Sequence, residues 1–376
     1  MMTYQICKKC IMDTSDPDIR FNENKICNYC TELDNRYQSY FSRTPQMIET
    51  ILDSASKKIK KSAGQSKYHC VLGLSGGVDS SFTADLIVNK MHLNPLIIHF
   101  DNGWNSPLAV ENINKIITKL NLDMLTYVID WDEFKDLQRA FLHSSVLDIE
   151  MLTDNAIYGA LIKLAKKYKI KCIVSGENFA TESGLPQAWR WEKLDAKNIK
   201  SIHHRFGTRK LKSFPIYGPK QFILDRALAN IYYFYPLNII QYNQKSAIEQ
   251  IKNKYQWQYY GGKHYESIFT RFYQTYILPI KFGVDKRRAH LSSLIRNKEI
   301  TRENALNAIS KNLYESDELQ KDIDYILKKL DLSQNEFNIF MSESPKNHAD
   351  YPSDLKMLTL IKKIANKLKL NKNNFI

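Results

Sequence analysis

No stretch of this sequence approaches the roughly 20 consecutive apolar residues of a membrane-spanning helix, and the opening MMTYQICKKC holds no apolar signal-peptide segment. A cytoplasmic location is therefore expected. No internal repeat and no long low-complexity linker interrupts the chain. Acid is also in deficit, with 40 Asp and Glu against 54 Lys and Arg in 376 residues, a formal net charge of +14. That excess favours an anionic partner, whether ATP, a sugar nucleotide, an RNA or an acidic membrane surface. Lysine-rich coding in an AT-rich genome gives the same composition, so charge alone chooses none of them. Two common phosphate-loop signatures are absent as well, the GxxxxGK[ST] of a Walker A loop and the GxGxxG of a dinucleotide fold.

Cysteine is sparse, and four of the six cysteines are paired. Cys7 and Cys10 form one CxxC, Cys27 and Cys30 another, with Ile11 to Ile26 between them; Cys70 and Cys172 stand alone in apolar runs. In a cytoplasmic chain this argues for a metal rather than disulfides, and the spacing is that of a zinc ribbon. Four thiolates close a tetrahedral Zn²⁺ site with no open position, which holds structure and does no chemistry. An iron–sulfur cluster or uncoordinated thiols are the alternatives. So small a module has little core of its own, so that metal binding would supply its folding energy.

The chain is organised around residues 71–81. The apolar run Val71-Leu72-Gly73-Leu74 empties into Ser75-Gly76-Gly77-Val78-Asp79-Ser80-Ser81, which opens a helix expected over 78–91. Successive glycines permit backbone conformations closed to other residues and let N–H groups approach an anion. The helix N-terminus adds unpaired N–H groups and about half a positive charge, so phosphate bound there needs no loop lysine. From Tyr68 onward short apolar runs alternate with helical periods, as in a parallel sheet with crossover helices. Strands are expected at 70–74, 95–100, 124–129 and 171–175. Ligands of such sheets bind beyond the carboxyl ends of the strands, where three loops converge: 75–80, Asp101 to Trp104, and Ser175 to Asn178.

Residues 32–62 read as helix, broken by 63–66. Past Thr181 the periodicity fades into an irregular insertion rich in Trp, His and Arg, whose aromatic faces and guanidinium groups suit a base, a sugar ring or phosphate. Lys281, Lys286, Arg287, Arg288 and Arg296 fall within sixteen residues with only Asp285 to offset them. A solvated helix face would alternate with acids, so the cluster reads instead as a clamp that folds back over the phosphates and steadies the leaving pyrophosphate. Beyond Thr301, a candidate N-cap, short amphipathic helices are expected, with a capping box at Ser333 to Glu336.

The SGGVDS loop resembles that of the PP-loop ATP pyrophosphatases, which split ATP into AMP and pyrophosphate and place AMP on a carbonyl oxygen. Adding the CxxC pairs, FDNGW, SGEN, TESGLPQAWRW, GGKHYES and KFGVDKRRAHLSS, the chain up to about residue 300 resembles the N-acetyl sugar amidotransferases of bacterial surface-polysaccharide and flagellin-glycan pathways. The resemblance implies an α/β fold with a doubly wound, mostly parallel sheet of the adenine nucleotide alpha hydrolase type. It divides the chain into a zinc ribbon (1–40), a helical linker (41–66), a PP-loop domain with a substrate-binding insertion (67–300) and a helical C-terminal region (301–376). It implies ATP, Mg²⁺ and Zn²⁺, with nucleotide contacts at Ser75, Gly76, Gly77, Asp79, Ser80, Ser81, Phe100, Asp101, Gly176 and Glu177. Asp79, Lys281 and Arg287 would be catalytic, and Trp189, Trp191, His203, His204, Lys263 and His264 would meet the sugar. The zinc ligands would be Cys7, Cys10, Cys27 and Cys30.

The reaction so implied replaces the acetamido oxygen of an N-acetylated (nucleotide-)sugar by nitrogen. No cysteine sits at a processed N-terminus or on a glycine-rich elbow as a glutaminase nucleophile would, so a separate glutaminase subunit is expected to supply ammonia. A PP-loop tRNA thiolase is the rival reading, since such enzymes also combine zinc ribbons with this loop. A non-enzymatic zinc-ribbon adaptor that senses ATP is a third.

Overall fold

The structure, a computed structural model, describes residues 3–262, 265–314 and 316–367. Among these, five strands form one wholly parallel sheet: β1 (Cys70–Gly73), β2 (Pro95–Asp101), β3 (Met124–Val128), β4 (Cys172–Val174) and β5 (Tyr232–Phe234). The spatial order is β3-β2-β1-β4-β5. The central strands are short and almost wholly apolar because helices cover both faces, and a strand buried on both sides needs no polar alternation. Cys70 and Leu72 point into one helical layer with Ile97, Cys172 and Val174. Val71 points into the other with Leu96, Ile98 and Ile173.

The order of strands positions the site. From β1 the chain builds outward through β2 to β3, then crosses back to lay β4 on the other flank of β1. The loops leaving β1 and β4 therefore diverge, and the crevice between them is the topological switch point where α/β sheets bind ligands.

Three elements differ from the expectations. The helix expected over 32–62 is two helices, Asn28–Phe41 and Pro45–Ala63, because Thr44 caps the second by accepting from Met47 N and Pro45 cannot continue the first. The second buries Ile48, Leu52, Ala55 and Ile59 in the sheet's core, so it belongs to a layer of the nucleotide fold rather than acting as a linker. The insertion is irregular at 183–186, 190–195 and 207–218 but not throughout. It contains the Ala196–Phe206 helix, started by the buried Asp195, whose side chain accepts from Asn198 N. Carboxylates on the Trp131–Ser144 helix hold the turn that follows: Asp136 accepts from Thr208 N and Arg209 N, and Glu133 from the amides of Lys212, Ser213 and Phe214.

The capping signals at Thr301 and Ser333 hold, with Ser333 and Glu336 bonding reciprocally in a full capping box. No described helix is long and apolar enough to cross a membrane.

Candidate active site

The loop after β1 is shaped by two glycines that do different work. Gly76 has φ +81°, and a Cβ there would lie 2.4 Å from the main-chain oxygen of Ala109. Its carbonyl accepts from Trp257 Nε1 at 3.0 Å. Gly77 has an ordinary φ of −71° and serves as N-cap of the Val78–Asp85 helix without a capping side chain. A Cβ there would stand 3.1–3.2 Å from Glu266 Oε1, Ser75 Oγ and Tyr260 OH. Gly76 is therefore required by backbone conformation, whereas at Gly77 an added Cβ would meet only side-chain tips over the loop.

Side-chain oxygens hold the loop from within. Ser75 Oγ accepts from Gly77 N at 3.2 Å, Ser80 Oγ from Ser75 N at 3.3 Å, and Tyr260 OH from Val78 N at 3.2 Å. Asp79, in the first helical turn, accepts from Tyr242 OH at 2.5 Å. Burial pushes the Tyr242 hydroxyl well above its ordinary range, so it stays a donor to that carboxylate. Ser81 is buried beneath the helix, and its hydroxyl has no hydrogen-bond partner. It faces the core rather than the nucleotide position expected of it.

The loop after β4 packs directly on this one. A Cβ on Gly176 would lie 3.0 Å from Ser80 N and from the carbonyl carbon of Asp79. Beyond it, water reaches Glu177, yet protein surrounds the carboxyl on most sides. That environment pushes its pKa up to about 7, and the charges of Glu182 and Asp154 add to the rise. Tyr158 OH donates to Glu177 Oε1 at 3.4 Å. At the end of β2, Asp101 Oδ1 accepts from Gly103 N at 2.9 Å, and Phe100 stacks on Tyr127. Trp104 is a core residue, its Nε1 donating to Gln138.

Sequence reasoning missed Tyr242, Tyr260, Glu182 and Glu266 at this crevice. Nothing in the spacing announces the two tyrosines, which arrive from more than 160 residues downstream. The acids fall within the quoted motif blocks but had no partner to single them out. Helix-terminus amides, loop hydroxyls and nearby carboxylates are what an ATP phosphate chain with a hard divalent cation needs, so Ser75 to Ser80 with Asp79 fit ATP and Mg²⁺.

The basic cluster does not cover the phosphates. Lys281 Nζ donates to the main-chain oxygens of Phe340 and Glu343 at the end of the Gln334–Ser342 helix. Arg287 pairs with Asp285 at 2.7 Å and donates to the oxygens of Ala308, Ile309 and Lys311, closing the Arg302–Ile309 helix. Lys286 pairs with Glu150 at 2.6 Å. Arg288 grips Asp13 at 3.0 Å and the oxygen of Ile11, while Arg296 reaches Cys30 Sγ and the oxygen of Ser183. The basic run fastens the N-terminal module and the C-terminal helices to the nucleotide fold, because helix C-termini and buried carboxylates present it with unpaired acceptors.

The residues expected to meet sugar separate similarly. Trp189 is buried in the core at 1% exposure, and His203 Nε2 is tied to Asp136 at 2.9 Å. Both are structural, and His204 is exposed one position along the same helix. Trp191 lines a cavity of about 350 Å³. Lys263 and His264 lie outside the described residues.

Cys7, Cys10, Cys27 and Cys30 converge, fully buried, with their sulfurs within 4.8 Å of one another. Cys10 and Cys27 sulfurs are 3.7 Å apart, and a tetrahedral site with Zn–S of about 2.3 Å has edges of about 3.8 Å. Hydrogen bonding among the thiols holds Cys7 and Cys10 below the usual thiol range and pushes Cys27 and Cys30 above it. A divalent cation resolves that conflict by binding all four as thiolates, so the residues fit Zn²⁺. Cys70 and Cys172 are buried at the starts of β1 and β4, with burial pushing the Cys172 thiol up to about 12.

Two family models match parts of the chain. Residues 47–163 match the NAD synthase family model, and residues 266–369 match the C-terminal domain of the LPS biosynthesis protein WbpG-like family. The nucleotide fold is thus of the NAD synthase-like, adenine nucleotide alpha hydrolase class. The C-terminal part of the chain is similar to the C-terminal domain of WbpG-like LPS biosynthesis proteins. It is 32% identical over 132 residues to an uncharacterized protein of Methanocaldococcus jannaschii, covering 35% of this chain and 45% of that protein. A glutamine-hydrolyzing GMP synthase of Chlamydia caviae is 29% identical over 179 residues, covering 42% of this chain and 33% of the synthase. The chain spans less than half the length of these curated relatives. Among solved structures, an NH3-dependent NAD synthetase from Campylobacter jejuni aligns with TM-score 0.29 at 20% identity, over 37% of this chain and 58% of that one. An NMN synthetase from Francisella tularensis gives TM-score 0.31 at 14% identity, over 57% and 94%.

Proposed function

We infer that the chain is an ATP-dependent, AMP-forming amidotransferase that converts the acetamido group of an N-acetylated (nucleotide-)sugar into an acetamidino group. The observation that carries this reading is the lysine-free phosphate loop at the switch point of an NAD synthase-like sheet, within a chain whose C-terminal part is WbpG-like. An amide carbon is a poor electrophile, and ammonia does not displace its oxygen unaided. In the proposed reaction the acetamido oxygen attacks the α-phosphorus of ATP. The bond from that phosphorus to the β-bridging oxygen breaks, and pyrophosphate leaves. Ammonia then adds to the carbon of the O-adenylyl imidate. The carbon–oxygen bond breaks, AMP departs with the former acetamido oxygen, and the amidine retains the nitrogen.

Each loop has a part in this chemistry. Amides of the Val78–Asp85 helix terminus and the Ser75 and Ser80 hydroxyls orient the phosphate chain, and Gly176 keeps the β4 loop against it. Mg²⁺, when bound, would offset charge on the departing pyrophosphate, with Asp79 as the nearest candidate ligand.

Ammonia would come from a separate glutaminase subunit. All six cysteines are buried, four in the metal cluster and two at strand starts, which leaves no thiol placed as a glutaminase nucleophile. The same placement disfavours the tRNA thiolase reading, for Cys70 and Cys172 lie at the end of the sheet remote from the loop.

The test incubates the chain with candidate UDP-N-acetyl sugars, ATP, Mg²⁺ and ammonium, followed by mass spectrometry. Replacement of O by NH with release of AMP and pyrophosphate is expected, and loss of both in Asp79→Ala. Recovery of the nucleotide as ADP, or full turnover in Asp79→Ala, would overturn the assignment.

A further inference from the structure

The cavity of about 350 Å³ touched by Trp191 falls within the roughly 300–1,000 Å³ of ligand pockets. It lies between the Met151–Lys167 helix, the Pro219–Leu228 helix, the end of β5 and residues 187–194. Its wall is aromatic, with Tyr158, Tyr233 and Tyr235 joining Trp191. Tyr158 and Tyr233 meet edge to face at 5.9 Å, and Tyr233 stacks on Tyr235 at 6.2 Å. The Tyr233 hydroxyl is buried and has no hydrogen-bond partner. An orphaned hydroxyl in a pocket wall costs free energy unless a ligand or water completes it.

Charge in the cavity is unevenly compensated. Lys193 is taken by Asp148 and Asp154 at 2.8 and 2.9 Å, and Lys362 by Glu192 at 2.5 Å. Arg190 and Arg226 have no carboxylate partner among the described residues, and both are exposed at the rim. Two guanidinium groups without a direct ion pair, Arg190 only within Coulombic reach of Glu177, stand beside aromatic faces and suit a polar ring that carries an anionic substituent.

One wall residue of the cavity is linked to the phosphate loop through the loop after β4. Tyr158, in its wall, donates to Glu177, and the preceding Gly176 rests on the backbone of Asp79 and Ser80. A ring seated among the tyrosines would thus be separated from the loop by the thickness of residues 176–177.

We propose that this cavity is the sugar subsite, with the tyrosine wall packing the pyranose, Arg190 and Arg226 binding an anionic group on it, and the acetamido end directed past Glu177 toward the phosphate loop. The proposal rests on the amidotransferase reading for the identity of the ring. The anion's chemistry is shared by two sources, the diphosphate of a nucleotide sugar and the carboxylate of an acidic sugar.

Calorimetric titration of the full chain without ATP tests it, with UDP-N-acetylglucosamine, N-acetylglucosaminuronic acid and neutral methyl N-acetylglucosaminide as probes. At least one anionic probe is expected to bind more tightly than the neutral one, and which of the two does so identifies the source. Arg190→Ala combined with Arg226→Ala should weaken that binding about ten- to a hundredfold, with ATP affinity and Tm unchanged. Failure of both anionic probes to bind, undiminished binding in the double variant, or a parallel fall in ATP affinity would overturn the proposal. Its failure is distinguishable from failure of the reaction. Amidino product formed by the double variant with unchanged KM sinks the subsite alone, whereas arginine-dependent anion binding without any amidino product sinks the reaction alone.

Discussion

Gly76→Ala puts the loop's geometry to the most direct test. At φ +81° an alanine is strained by about 1–3 kcal/mol. The new Cβ would also lie 2.4 Å from Ala109 O and 3.1 Å from Ala109 C, main-chain atoms in the first turn of the Pro107–Leu120 helix. Main chain there cannot swing aside as a side-chain tip does, and overpacking of this kind costs about 1–3 kcal/mol more. Together these predict a loss of roughly 2–6 kcal/mol, a fall in Tm of roughly 3–8 °C for a chain of this size. Whatever relaxation limits the fall moves residues 75–77, so ATP affinity should drop at least tenfold. Gly77→Ala is the control. Its φ is ordinary, and its close neighbours are the far ends of Ser75, Glu266 and Tyr260. It should keep Tm within about 2 °C, since side-chain tips yield at small cost, while narrowing the space over the loop. Differential scanning fluorimetry with and without ATP, plus titration with a fluorescent ATP analogue, reads both variants. Wild-type Tm and affinity in Gly76→Ala would refute the loop conformation and the close approach of Ala109.

Two further outcomes are expected. Metal analysis should find about one zinc per chain, lost in Cys7→Ser or Cys30→Ser together with a lowered Tm, since Arg296 links Cys30 to Ser183 at the edge of the β4 loop; full zinc in either variant would refute the cluster. Arg287→Ala should lower stability by about 1–3 kcal/mol through the lost carbonyl contacts, with KM for ATP unchanged. A selective loss of turnover without loss of Tm would restore Arg287 to the catalytic machinery.

Local chemistry wrote part of this into the sequence. The SGGVDSS loop, the apolar runs of the central strands and the capping signals at Thr301 and Ser333 depend on neighbours within a few residues, so their patterns are readable in one dimension. The Ala196–Phe206 helix was readable too. Asp195 three residues before Asn198, followed by Ile199 and Ile202, is an N-cap with apolar spacing, overshadowed by the Trp and His around it.

Partners from distant segments were not readable. Tyr242, Tyr260 and Glu266 reach the loop from over 160 residues away, and Trp189 and His203 have compositions suited to a ligand but environments that are core. The arginines and lysines of 281–296 show the limit most clearly. A run of cations states that acceptors are needed and leaves open whether these are phosphates or main-chain oxygens.

The sequence by itself determined the parallel sheet, the phosphate loop and the four-cysteine cluster, because each is encoded by spacing along a short length of chain. Tertiary structure alone decided which side chains stand over that loop, which cations are consumed as fasteners and where a tyrosine-walled cavity opens. Those outcomes depend on which acceptors and faces the folded chain brings within a few ångströms, and separation along the chain carries no record of that.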